Sequence, residues 1–89
     1  MPDTTTKLEW EADALKKYQL MITKIPLFHR EIAKIVVDKK AESNAKERGS
    51  NTIEEPDIVD AFITEVPKSF YSLMIRLFDE VGFDYKENA

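Results

Sequence analysis

Cysteine is absent from the 89 residues. That absence excludes disulfides, thiol catalysis, iron–sulfur ligation and the usual zinc frameworks. Histidine occurs once, at His29, so no multi-histidine metal site can form. Glycine occurs only at Gly49 and Gly82, which argues against a turn-rich sheet protein and against a glycine-rich phosphate cradle. No apolar run approaches the ~20 residues needed to span a bilayer. Residues 1–7 lack the apolar centre of a signal peptide. A soluble, cytoplasmic protein is expected. Basic residues are also in deficit, 13 against 17 acidic, and the net charge of −4 disfavours wholesale binding to nucleic acid or to an anionic membrane.

What is present is apolar and helical. Hydrophobic residues make up 43% of the chain and charged residues 34%, a globular balance in a length that suits one domain. The expected organisation is a tail over 1–7 without order, a single helical domain over 8–83, and a charged tail over 84–89. Trp10, Ala14, Tyr18, Met21 and Ile22 share one face at helical spacing and predict a first helix over 8–22. Pro26 breaks the chain and opens a second, longest helix over 26–48, which Gly49 ends as a left-handed cap. Phe28, Ile32, Ile35 and Val36 form one apolar side of that helix. Ala33, Val37, Ala41 and Ala45 form another, on which small side chains admit a close neighbour. Two apolar sides predict a central helix packed from more than one direction.

Ser50 to Ile53 reads as a short extended link. Glu54-Glu55-Pro56-Asp57 opens a third helix, with carboxylates at the positive end of its dipole. Pro67 closes it, and Ser69 is the expected cap of a fourth. There Phe70, Leu73, Met74, Leu77, Phe78 and Val81 recur at i, i+3, i+4, i+7, i+8 and i+11, the cleanest amphipathic pattern in the chain. The fold class is therefore all-α: a compact bundle of about four helices with a long central second helix.

Chemistry is sparse. A general base needs an orienting acceptor and a nucleophile, and no serine stands in patterned relation to His29. The acidic clusters near residues 9–13 and 54–57 lack the alternating ligands of a calcium loop and suit helix starts instead. Arg30, Lys34 and Arg48 fall in one sector of the second helix, but Asp38 shares it, so no coherent basic stripe results. Neither a catalytic site, a metal nor a cofactor is expected. Nine aromatics remain, to be divided between core and an exposed patch that would mark a partner or ligand.

Trp10, the run Ile25-Pro26-Leu27-Phe28-His29-Arg30, the run Glu42 to Gly49, and Asn51-Thr52-Ile53 followed by Asp57 to Ala61 come in an order that resembles a known family. It is that of the small C-terminal domain of the B subunit of light-independent protochlorophyllide reductase, which also occurs as stand-alone proteins. The likeness spans about residues 8–62. Trp10 to Pro26 and Pro26 to Glu42 are each about one helical turn longer than in the family pattern, and His29 replaces an apolar residue. The resemblance implies an accessory, non-catalytic domain that engages a protein partner or a tetrapyrrole-like ligand. It carries over Trp10 and Arg30 as contact residues, Arg30 facing a propionate-like carboxylate. The apolar fourth helix, through Phe70 and Leu77, either completes the core or docks the partner.

A second likeness is architectural. Ala41 and Ala45 on a long helix, then Thr52-Ile53 and the helix from Asp57, look like the second half of a histone fold. That makes a helical dimer or a nucleic-acid-binding protein the alternative reading.

Overall fold

A computed structural model describes residues 8–85. The N-terminal tail assigned to 1–7 and residues 86–89 of the C-terminal tail lie outside the described residues. Among the described residues there are four α-helices: α1 (Ala12–Lys24), α2 (Leu27–Glu47), α3 (Glu55–Glu65) and α4 (Tyr71–Val81). Two two-residue strands, β1 (Glu9–Trp10) and β2 (Thr52–Ile53), pair in parallel, with Glu9 opposite Thr52 and Trp10 opposite Ile53. The all-α class and the four-helix bundle hold. No helix among the described residues is long and apolar enough to cross a membrane.

The start of the first helix is a correction. Glu9 and Trp10 are extended because the Glu9 and Glu11 amides donate to Asn51 O at 3.0 Å and Ile53 O at 2.9 Å. The Glu11 carboxylate then accepts from the Ala14 amide at 2.8 Å, capping a helix that begins four residues later than its periodicity suggests. Trp10 keeps its place on the buried side despite the change of backbone, because β1 leads straight into α1.

Proline and glycine fix the remaining ends. Pro26 holds the cap position of α2, and Gly49, at φ +76°, ends it with its own amide on Lys46 O and that of Ser50 on Ala45 O. Gly82 does the same for α4 at φ +91°. Ser69 is not a cap. It lies inside a 3-10 turn (Lys68–Phe70), and α4 begins with no side-chain cap.

The core gathers on one side of α2. Val37, Ala41 and Ala45 are fully buried there, their small side chains letting α3 lie close. Tyr18, Met21, Phe62, Phe78 and Phe83 fill the space between α1, α3 and α4. Tyr85, expected in the tail, stacks on Phe78 with ring centroids 5.6 Å apart, so the packed chain reaches at least that residue. Phe78 is buried completely and Leu77 nearly so; α4 completes the core rather than standing free.

α2 is packed by α1, α3 and the strand at Thr52–Ile53, but the Phe28 side of it is the second correction. Phe28, Ile32 and Ile35 are 79%, 66% and 64% exposed. At 100° per residue their row lies roughly 150° around α2 from the Val37–Ala41–Ala45 row. α3 and α1 pack on the small-residue side, and no described element covers the opposite one.

Tyr18 shows how this core constrains ionisation. Its hydroxyl donates to the Asp38 carboxylate, tying α1 to α2. Burial first, and that hydrogen bond second, raise the phenol far above the ordinary tyrosine range. An unfolded chain loses the proton near pH ~10 while the folded chain keeps it, so the contribution to stability is complete below that pH and declines above it. Urea unfolding between neutral pH and pH ~11 should show stability falling by up to about 1.4 kcal/mol per pH unit above pH ~10 from this group alone. Tyr18→Phe should cost about 1–2 kcal/mol at neutral pH and show a shallower alkaline decline. An unchanged alkaline slope would remove Tyr18 as its source.

Candidate functional site

The bare side of α2 borders an apolar groove of about 300 Å³. Its floor is Met21, Phe62, Met74 and Leu77, which belong to the core. One wall is α2, through His29, Ile32, Ala33 and Val36, and the other is built from Val66, Pro67, Phe70 and Leu73. Ile25 and Pro26 close the end where α1 turns into α2. The groove exists because Pro26 and Pro67 each end or begin a helix at this side, leaving no backbone to fill the gap between α2 and α4.

Its rim is aromatic. Phe70 is 44% exposed, and the His29 ring sits between Phe28 and Phe70, at centroid distances of 4.3 and 6.1 Å. Among the described residues no carboxylate or hydroxyl hydrogen-bonds that ring. Nor do any three His, Asp or Glu side chains among them come together as a metal site. Physically, the groove can bury an apolar occupant through contact area, with Glu65 and His29 as its polar edge.

The four residues singled out from sequence divide two and two. Phe70 forms the rim and Leu77 the floor. Trp10 lies outside the groove lining, stacked on Tyr18 at 5.0 Å with the ring planes 16° apart. Arg30 is also outside it. Its guanidinium donates to Thr23 O at 2.9 Å and to Ile25 O at 3.0 Å, satisfying carbonyls at the end of α1. A propionate would have to compete with those bonds. Sequence reasoning missed Ile32 and Phe28 as site residues because an apolar period marks a face without saying what covers it.

A second, open depression lies at the far end of α2, lined by Asn44, Glu47, Arg48, Pro56, Asp57 and Asp60. Its polar groups serve the fold. Arg48 holds Asp57 through two hydrogen bonds, and the Asn44 amide donates to Asp57 O at 3.0 Å.

No protein-family model, curated protein or solved structure matches this chain.

Proposed function

We propose that this chain is a non-catalytic accessory domain that binds an apolar segment of a protein partner in the groove between α2 and α4. The observation that carries the proposal is the row Phe28, Ile32, Ile35, left in solvent beside a groove whose rim is Phe70. These four large apolar side chains gather in one exposed patch, and such patches often mark an interaction site. A cytoplasmic location is part of the same reading. Nucleic acid is not, because Arg30, Lys34 and Arg48 share their sector of α2 with Asp38 and form no coherent basic stripe.

The resemblance to the reductase domain adds a small-molecule version, in which a flat tetrapyrrole-like ligand lies in the groove. Titrating isotope-labelled protein with a chlorophyllide-type pigment tests it. Expected are saturable shifts at the amides of His29, Ala33, Val36, Val66 and Leu73, and affinity about tenfold weaker in Phe70→Glu, equivalent to ~1.4 kcal/mol. A titration that moves none of those amides removes the ligand version. Shifts centred on Trp10 and Arg30 instead would move the site to the other side of the domain.

A further inference from the structure

We infer that the occupant of this face is a second copy of the same chain, joined by a two-fold axis that passes close to Ile32. The inference rests on the groove being the working surface, as proposed above. Three observations favour a copy over other occupants.

The first concerns the rest of the chain. Residues 1–7 and 86–89 contribute Met1 as their only large apolar side chain, so they hold nothing that could fill the groove. The second is shape. Phe28, Ile32 and Ile35 form a ridge along α2, and the groove runs beside that ridge, sharing Ile32 as its edge. A surface with a ridge and a neighbouring groove is self-complementary under a two-fold: each ridge enters the other copy's groove in one step, and the contact closes without leading to a polymer. Ile32 is the middle of the three ridge residues, so antiparallel α2 helices meet there.

The third is area. A stable interface buries about 800 Å² on each partner. Phe28, Ile32, Ile35 and Phe70 supply the exposed part of such an area, and the half-buried walls Ile25, Val36, Val66 and Leu73 with the rim of His29 and Glu65 extend the same patch across the groove. The distribution also fits, with an apolar centre and charged groups only at the edge.

Sedimentation of the full chain from low micromolar to several hundred micromolar tests the inference, with Ile32→Glu and Ile32→Lys as variants. Ile32 is mostly exposed, so neither change should disturb the fold, which circular dichroism checks. The wild type is expected to reach twice its 10.3 kDa mass. Each variant alone should remain monomeric, and an equimolar mixture of the two should associate, because the axis brings residue 32 of each copy together. A wild type that stays monomeric at the highest concentration overturns the inference. So does a dimer that Ile32→Glu leaves intact, and a mixture that fails to associate overturns the axis. A monomeric wild type whose groove amides still shift with pigment ends the dimer and keeps the groove reading. A dimer without pigment shifts does the reverse for the ligand version.

Discussion

Phe62→Ala is expected to cost about 3–5 kcal/mol, whereas Phe28→Ala in the monomer should stay within about 0.5 kcal/mol of wild type. Phe62 is 1% exposed, lies 6.0 Å from the Tyr18 ring, and meets Phe78 edge-on at 5.9 Å. Truncating it leaves a cavity where α1, α3 and α4 converge, and those helices are held by several other contacts that prevent full collapse. A domain of this length has about 5–13 kcal/mol in total, so the loss is a large share of its stability. The midpoint of thermal unfolding should fall by roughly 15–30 °C. Trp10 fluorescence is a suitable probe, since the indole stacks on Tyr18, itself against Phe62. Phe28 has the same side chain but stands 79% exposed on the ridge beside the groove. Equal costs for the two substitutions would mean that the row on α2 is covered in the monomer and is not a free docking surface. If the cost at Phe28 grows with protein concentration, the missing cover is a second chain.

That contrast also marks how far the sequence can be read. Pro26, Gly49, Pro56 and Gly82 act on their own neighbours, through fixed φ, a missing donor or a left-handed backbone, and the helix ends they imply are where the structure has them. Met21, Phe62 and Phe78 follow from periodicity. The extended start at Glu9–Trp10 does not, because its cause is a pairing with residues 52–53, which no local pattern encodes. Exposure of Ile32 is hidden for a related reason. A helical period locates an apolar stripe, while its cover depends on where α3 and α4 end up. In the candidate site, Phe70 and Leu77 were legible as part of the strongest stripe, although their roles differ: one remains at the surface and the other sits in the floor. Arg30 looked free as a contact residue because its acceptors are backbone carbonyls, and those become available only once Ile25 leaves the helix.

Arg48 carries the other large expected effect. Its guanidinium grips Asp57 at both oxygens, Nε to Oδ1 at 3.1 Å and Nη2 to Oδ2 at 2.6 Å, and the Asp57 side chain is only 3% exposed. Asp57 Oδ2 also accepts the Glu54 amide at 2.9 Å, closing the first turn of α3. One pair thus fixes the end of α2 to the start of α3, and the far ends of the same two helices form opposing walls of the groove. Arg48→Met leaves a buried carboxylate with a single donor. Losing one partner of a buried pair costs about 3–5 kcal/mol, and because Arg48 is itself 43% exposed a value near 2–4 kcal/mol is expected. Asp57→Ala should cost less, about 1–3 kcal/mol, since the freed guanidinium can turn to water and no charge is stranded. The double variant should then be more stable than the sum of the single losses predicts, by about 1–2 kcal/mol. Arg48→Lys should fall between wild type and Arg48→Met, because an ammonium cannot engage both oxygens in the same geometry. Urea unfolding of the four variants reads all of this, and additive losses would show that the two residues act separately. If the pair sets the angle between α2 and α3, Arg48→Met should also shift the amides of Val36 and Val66 at the opposite end of the helices, at urea concentrations where the protein is still folded.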